Sequence, residues 1–330
     1  MAELLIEKNY EVHGIIRRSS SFNTGRIEHL YLNTLIKDMQ LPHNIHLHYG
    51  DMTDGNRLSY LLNEIRPHEI YNLAAQSHVL VSFDQPVHTL DVTGMGVTRL
   101  FEAIVSAKLE TRVYQASSSE MFGAESPPQS EQSKFYPRSP YGVAKLYGHW
   151  MTTNYREAHG MYAVSGILFN HESPRRGPTF VTRKISQAVA RVKAGKQKTL
   201  YLGNMDAKRD WGYAPDYVVG MWRMLQQDEP RDFVLGTGTS VTVRDFLKFC
   251  SESVGLDYEE FTQFDPRYLR PTEVDHLRAD PSLSQRLLGM SELVSVRELA
   301  AEMVRHDTEN LVGNTNDRPI GKLWDAEVRE

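Results

Sequence analysis

Short apolar runs alternate with helical periodicity along the first half of the chain. Runs rich in β-branched and aromatic residues predict five strands, over residues 11–16, 44–49, 69–75, 112–116 and 164–169. Between them, apolar residues recur every three to four positions, for example from Leu58 to Ile65 and from Val97 to Val105. Strands that alternate with helices form right-handed βαβ units, so this half predicts a parallel sheet.

The pattern changes in the second half, where strands are shorter and helices dominate. Helices are predicted over residues 180–193, 216–226, 242–255 and 295–311, and short strands over 199–202 and from 233. The whole chain therefore predicts an α/β fold, a Rossmann-type doubly wound parallel sheet with a smaller C-terminal α/β domain. Ligands of such sheets bind beyond the carboxyl ends of the strands.

Composition narrows the class of protein. The 330 residues are 40% apolar and 24% charged, which is ordinary for a globular chain of about two domains. The net charge of −5 argues against a nucleic-acid or anionic-membrane partner, although it leaves room for a local phosphate pocket. No apolar run approaches the ~20 residues that span a bilayer. The single cysteine, Cys250, excludes an intramolecular disulfide and lies in a helical pattern, so we expect a core residue in a cytoplasmic protein.

Candidate chemistry centres on Tyr141 and Lys145. They stand one helical turn apart, so they share a helix face. Phenol is a poor base at its usual pKa of ~10, and a nearby ammonium favours the phenolate. Tyr-x-x-x-Lys alone is common by chance, but about twenty residues earlier a predicted strand ends in serines and one carboxylate, Glu120. Such a serine cluster is equally typical of a helix cap.

Together these residues resemble the extended short-chain dehydrogenase/reductase superfamily and, more narrowly, the GDP-mannose 4,6-dehydratase family. The matching stretches are residues 11–27, 72–79, 116–123, 141–145, 169–177, 208–217 and 268–275. The resemblance implies an NADP-binding domain of residues 1–171 plus roughly 210–242, and a sugar-nucleotide-binding domain of residues 172–209 and 243–330.

The resemblance also implies the reaction. A hydride passes from sugar C4 to NADP⁺, water is eliminated across C5–C6, and the hydride returns to C6. Tyr141 would deprotonate the C4 hydroxyl, and Lys145 would support the phenolate and hold the ribose. Glu120 would remove the C5 proton and help the C6 hydroxyl to leave. Ser118 would hydrogen-bond the C4 oxygen.

The choice between NAD and NADP rests on Arg17 and Arg18, which follow the predicted strand over residues 11–16. NAD enzymes usually carry an acidic residue after the corresponding strand, whereas a guanidinium pairs with the 2′-phosphate of NADP. The alternative is a solvated basic turn. The resemblance implies further cofactor contacts from Asp51, Met52, Leu73, Ala74, Ala75, Gln76, Ser77, His88, Lys145, His171 and Arg176. His88 stands where the resemblance leads us to expect a tyrosine.

Substrate and partner residues follow from the same resemblance. GDP-mannose would be held by Ser82, Asn170, Lys184, Arg209, Arg270 and Glu273. Residues 18–26 form a loop that in relatives helps a neighbouring subunit bind cofactor, which implies a homodimer or homotetramer. We predict no metal site, because His43, His46 and His48 lack a supporting carboxylate pattern and strand alternation puts only two of them on one face.

One further departure from the family pattern keeps alternatives open. The family begins with a strand and a glycine-rich turn upstream of the position of Met1, and we expect Met1 to be a mis-assigned start. The alternatives are another sugar-nucleotide dehydratase, an epimerase, a GDP-sugar reductase, and a truncated non-catalytic sugar-nucleotide binder. Epimerases lack the carboxylate at Glu120, and dTDP-glucose dehydratases usually show Asp-Glu where this chain has Ser119-Glu120.

Overall fold

The computed structural model describes residues 1–21, 23–31 and 44–312. Its strands are β1 (Val12–Ile16), β2 (Ile45–Tyr49), β3 (Glu69–Asn72), β4 (Arg112–Ser118), β5 (Ala163–Leu168), β6 (Asn170–Glu172), β7 (Leu200–Leu202), β8 (Lys208–Arg209), β9 (Trp211–Tyr213), β10 (Phe233–Leu235), β11 (Val241–Thr242) and β12 (Thr262–Phe264). Its α-helices are α1 (Ala2–Glu7), α2 (Glu28–Tyr31), α3 (Gly55–Ile65), α4 (Val79–Asp84), α5 (Pro86–Leu90), α6 (Gly96–Ser106), α7 (Pro140–His159), α8 (Val181–Lys193), α9 (Ala214–Leu225), α10 (Val243–Glu252), α11 (Ser282–Leu288) and α12 (Val296–Val312).

A four-stranded parallel sheet in the order β10–β5–β4–β3 forms the centre of the fold. β5 is buried along its whole length, as expected for a parallel strand covered by helices on both faces. The Asn72 amide at the end of β3 donates to the Gln115 side chain of β4 at 2.7 Å, which fixes the register inside the core. The predicted α/β class with a parallel sheet is therefore confirmed.

β1 and β2 form a separate parallel pair. Within the described residues β1 pairs only with β2, and β3 ends the four-stranded sheet. β1 and β3 therefore each keep one edge without a strand partner in the described part of the chain, as the sequence predicted.

The histidines of this pair require a correction. His46 and His48 share a face of β2, as predicted, but His13 of β1 pairs in register with His46 and brings Glu11 with it. A carboxylate and a third histidine therefore join the group, and the expectation of an unsupported pair was wrong. Alternation within one strand does not reveal neighbours on the next strand. His43 lies outside the described residues.

Four clusters of buried apolar residues form the core of the described residues. One cluster packs α3 and α6 against β4 through residues such as Leu58 and Phe101. Another joins α8, α10 and α12 around Trp211, Phe246 and Cys250. Cys250 is completely buried, and burial raises the pKa of its thiol. It is a core residue, as predicted.

The boundaries differ from the sequence prediction at short elements. β3 ends at Asn72 rather than Ala75, and β4 continues to Ser118. The two- and three-residue strands β6, β8, β9, β11 and β12 were not predicted, because so few residues carry no periodic signal. None of the helices in the described part of the chain is long and apolar enough to cross a membrane.

Candidate active site

A cleft of about 860 Å³ opens where β3, β4 and β5 end at their carboxyl side. The predicted site residues that line it are Leu73, Ala75, Ser77, Ser118, Glu120, Tyr141, Lys145, Asn170, His171, Arg176, Lys184, Arg209, Arg270 and Glu273. The structure therefore gathers all four predicted catalytic residues and most predicted substrate residues around one space.

Tyr141 and Lys145 stand on the first turns of α7. Ser139 caps this helix by accepting from the Gly142 N–H at 3.0 Å, and Pro140 occupies the first helical position. The Lys145 ammonium donates to the Ala116 carbonyl of β4 at 2.7 Å and lies 5.9 Å from the centre of the Tyr141 ring. Both side chains are buried, so α7 holds them against the sheet.

Burial dominates the protonation of this pair. It raises the pKa of Tyr141 to about 12, although the Ser118 hydroxyl acts in the opposite direction. It lowers the pKa of Lys145 to about 8. Without a further positive charge in the cleft, Tyr141 is therefore a neutral phenol at neutral pH. A cationic group beside the ring would favour the phenolate.

Ser118 and Glu120 sit in the turn that ends β4. The Ser118 hydroxyl accepts from the Glu120 N–H at 3.2 Å and caps a short 3₁₀ turn. Glu120 is buried, and its Oε1 lies 3.5 Å from Nη1 of Arg270. Its Oε2 has no hydrogen-bond partner in the protein. A buried carboxylate oxygen without a partner is costly, and Glu120 lines the cleft, where a ligand can supply the missing proton donor.

The chain after β5 forms another wall. His171 donates through Nδ1 to the Phe169 carbonyl at 2.9 Å, and burial lowers its pKa to about 4. The ring is therefore neutral at physiological pH. The Asn170 Oδ1 is buried without a partner. The Arg176 guanidinium stacks 3.7 Å from the Phe180 ring and lies 3.3 Å from the Glu172 carboxylate.

Three further cations line the cleft. Arg209 is almost completely buried, which lowers its pKa, and it donates to the Lys208 carbonyl at 2.9 Å. Lys184 lies 3.3 Å from the centre of the Tyr268 ring. The Arg270 N–H donates to Glu273 at 3.1 Å. Several cations in one partly enclosed space favour an anionic ligand such as a diphosphate.

Asp210 supports this wall and was missed by sequence reasoning. Its buried carboxylate accepts from the N–H and hydroxyl of Thr237 at 2.9 and 2.7 Å, from Gly238 at 2.9 Å and from Ala279 at 3.1 Å. Burial raises the pKa of Asp210, and the four donors oppose that effect. One available signal was the Thr-Gly turn that follows the predicted strand at residue 233.

Three predicted cofactor residues do not line the cleft and instead follow β1 and β2. Arg17 and Arg18 are exposed just after β1, and Arg18 contacts the Tyr49 hydroxyl at 3.4 Å. Asp51 follows β2, and its carboxylate accepts from the N–H and hydroxyl of Thr53 at 2.9 Å. These residues lie at the carboxyl ends of their own strands, as the parallel arrangement requires.

The remaining predicted residues do not line the cleft. Ser82, expected to approach the sugar, is completely buried in α4 and donates to the Val79 carbonyl at 2.6 Å. His88 is exposed on α5, and Ala74 is exposed after β3. Met52 is buried, and Gln76 bonds its neighbours, donating to the Thr89 hydroxyl and accepting from the His78 N–H.

Fold and site together define a class of protein. A tyrosine–lysine pair and a carboxylate at the carboxyl ends of a parallel sheet, lined by cations, are typical of short-chain dehydrogenase/reductase enzymes that act on nucleotide-linked sugars. Solved structures share the fold. UDP-glucose 4-epimerase from Thermotoga maritima superposes with a TM-score of 0.79 at 22% identity, covering 94% of each chain. RMD from Pseudomonas aeruginosa, complexed with NADPH, superposes with a TM-score of 0.75 at 20% identity, covering 91% of this chain and 100% of that one.

Sequence comparison identifies the family. The model of the GDP-mannose 4,6 dehydratase family matches residues 1–303. The GDP-mannose 4,6-dehydratase of Yersinia enterocolitica is 50% identical over 343 residues, covering 94% of this chain and 90% of that protein. The GDP-mannose 4,6 dehydratase 1 of Arabidopsis thaliana is 51% identical over 318 residues, covering 94% and 86%. The chain belongs to the GDP-mannose 4,6-dehydratase family, which confirms the predicted resemblance.

Proposed function

We propose that this chain converts GDP-mannose to GDP-4-keto-6-deoxymannose and water. The observation that carries the proposal is the buried Glu120 carboxylate, which lines the same cleft as Tyr141 and Lys145 and has no hydrogen-bond partner at Oε2. Hydride exchange at a sugar carbon requires a base such as Tyr141. Elimination of water also requires a group that removes the C5 proton, and Glu120 is placed to be that group.

The residue roles follow from the chemistry of each step. Bound NADP would accept a hydride from C4 and later return it to C6. Tyr141 takes the proton of the C4 hydroxyl, with the Lys145 charge favouring the phenolate. The resulting ketone acidifies C5, so Glu120 removes that proton and passes it to the C6 hydroxyl, which leaves as water. When the hydride adds to C6, C5 regains a proton, which balances the one taken from the C4 hydroxyl. Ser118 donates a hydrogen bond to the C4 oxygen.

The proposed cofactor is NADP. Arg17 and Arg18 present exposed guanidinium groups after β1, where a 2′-phosphate is bound in such sheets. Leu73, Ala75 and Ser77 line the cleft with small or apolar surface that suits a flat ring. The unpaired oxygen of Asn170 offers an acceptor on the other side of β4.

GDP-mannose is proposed to bind to the cations within residues 172–209 and 243–330. Arg209, Arg270 and Lys184 would neutralise the diphosphate, and Glu273 would accept from the guanosine ribose. The separation along the chain between the proposed cofactor residues and the proposed substrate cations supports the division into two domains. The NADP domain is residues 1–171 with about 210–242, and the sugar-nucleotide domain is residues 172–209 and 243–330. A cytoplasmic homodimer or homotetramer remains part of the proposal, and light scattering of the purified protein checks the assembly.

Mass spectrometry of product tests the function. Purified protein is incubated with GDP-mannose and catalytic NADP⁺, and we expect a product lighter by one water. The Glu120→Gln variant should abolish that loss, whereas Glu110→Gln, exposed before β4, should retain it. Turnover of UDP-glucose or dTDP-glucose in preference to GDP-mannose would contradict the proposed substrate. Saturable binding of GDP-mannose without turnover would indicate a non-catalytic binder.

A further inference from the structure

A second group of reactive side chains lies apart from the cleft residues, near the amino ends of β1 and β2. Glu11 directly precedes β1, and His13 is the second residue of that strand. His46, on β2, is the register partner of His13. The Glu11 Oε1 lies 3.3 Å from the His13 Nε2 and 3.2 Å from the His46 Nε2. The proposed dehydration uses none of these residues.

We propose that Glu11, His13 and His46 form a site for a divalent transition metal, with Zn²⁺ the expected ion. A tetrahedral zinc with ligand bonds of ~2.0–2.2 Å sets its ligand atoms about 3.3–3.5 Å apart. Two of the three ligand separations already have nearly this value, and all three ligand atoms lie within 4.8 Å of one another. Seating the ion therefore requires only small side-chain rotations.

The backbone preorganises the ligands. His13 and His46 are register partners in a parallel pair, so their side chains point to one face, and Glu11 reaches that face from two residues upstream. The two imidazole rings stack with centroids 4.8 Å apart. Strand-borne ligands are held more tightly than loop-borne ones, which reduces the entropy cost of closing around an ion.

A fourth residue orients the first histidine. The His13 Nδ1 lies 2.9 Å from the His48 Nε2. If the Nδ1 carries the proton and donates, the His13 Nε2 keeps its lone pair toward Glu11, as a metal ligand must.

The donor set selects the class of ion. Two imidazole nitrogens and one carboxylate suit Zn²⁺, whereas Mg²⁺ and Ca²⁺ prefer all-oxygen sites. The side chains of Glu11 and His46 are 66% and 50% exposed, so an ion can enter from solvent and keep a water in the fourth position. Bound there, zinc would join β1 to β2 and stabilise the pair by mass action.

Titration with zinc alone tests the site. Tag-free full-length protein is treated with a chelator, dialysed and titrated with ZnCl₂ by calorimetry slightly above neutral pH. We expect one saturable ion per chain and a rise in melting temperature. Glu11→Gln and His46→Gln should each weaken binding by at least about tenfold, and His68→Gln, an exposed histidine outside the cluster, should leave it unchanged.

Cobalt provides a second readout. Co²⁺ in a tetrahedral site gives intense visible absorption, and we expect it in the wild type and not in His46→Gln. Melting curves of the metal-free variants show whether they remain folded. Binding of several weak ions, or affinity equal in wild type and His46→Gln, would overturn the proposal and indicate scattered surface histidines. Absence of saturable zinc binding would overturn it as well.

Discussion

Replacing Lys145 by methionine should stabilise the protein while it removes activity. The side chain is 4% exposed, and burial lowers the pKa of Lys145 from 10.5 to about 8. At about 1.4 kcal/mol for each pKa unit, the folded state carries a penalty of about 3 kcal/mol for the ammonium at neutral pH. Methionine has a similar shape and no charge, so Lys145→Met removes this penalty.

The lost hydrogen bond offsets part of the gain. The ammonium donates to the Ala116 carbonyl at 2.7 Å, a charged hydrogen bond worth roughly 1.5 kcal/mol or more. That carbonyl keeps a second donor, the Gln115 amide at 3.2 Å. We therefore expect a net stabilisation of about 1 to 2 kcal/mol, and a melting temperature higher by about 2 to 6 °C.

The pH dependence has a definite sign. The pKa of Lys145 is lower in the folded chain than in the unfolded chain, so the unfolded state binds more protons between pH 8 and 10.5. Wild-type stability therefore rises with pH across that window. The advantage of Lys145→Met should be full below pH 8 and should shrink as the pH approaches 10.5.

Thermal unfolding followed by circular dichroism at several pH values measures this effect, and product mass measures activity. The matched control is Lys198→Met, because Lys198 is exposed and its removal should change the melting temperature little. Activity should fall by about 10²-fold or more in Lys145→Met only. A variant that melts below the wild type at neutral pH, or an advantage that does not shrink with pH, would refute the burial argument.

Three further changes probe other parts of the site. Glu120→Gln should lower the rate of water loss by about 10²- to 10⁴-fold while single-turnover NADPH formation persists, as absorbance will show. Asp210→Asn should destabilise the fold by about 2–4 kcal/mol, because an amide N–H would face buried donors, and thermal melting measures the loss. Arg18→Ser should raise the KM for NADP⁺ about tenfold or more and leave that for NAD⁺ nearly unchanged in initial-rate titrations.

Each of these three predictions has an outcome that would contradict it. Loss of NADPH formation together with water loss in Glu120→Gln would assign the carboxylate to substrate positioning instead. Asp245→Asn, at a helix cap, is the control for Asp210 and should cost about 1 kcal/mol. An equal cost at the two positions would contradict the role of the buried network. Equal KM changes for both cofactors would remove Arg18 from 2′-phosphate recognition.

Local sequence was sufficient where a residue acts through its own element. Tyr141 and Lys145 share a face because they are one helical turn apart, and Glu120 follows a strand whose apolar run marks a central position. These residues were placed correctly in one cleft because parallel strands end together. Burial of Cys250 followed from helical periodicity in the same way.

Sequence was insufficient where partners come from distant elements. The four donors around Asp210 belong to two other segments, and no spacing rule connects them. The histidine group joins two strands, so alternation along β2 alone undercounted it. Ser82 was expected at the sugar, but helix α4 turns its hydroxyl onto its own backbone.

The hydrogen bond from Lys145 to the Ala116 carbonyl has a consequence for how this chain can diversify. It joins α7 to β4, the strand that ends at Ser118 and leads into the turn with Glu120. Every proposed catalytic group lies within one contiguous segment, residues 116–145. The cations proposed to bind the nucleotide are Lys184, Arg209 and Arg270, which line the same cleft from far along the chain. The proposed reaction groups and the proposed recognition groups therefore occupy separate segments of the chain. Exchanging residues 172–209 and 243–330 should change which sugar nucleotide binds while the dehydration chemistry is retained.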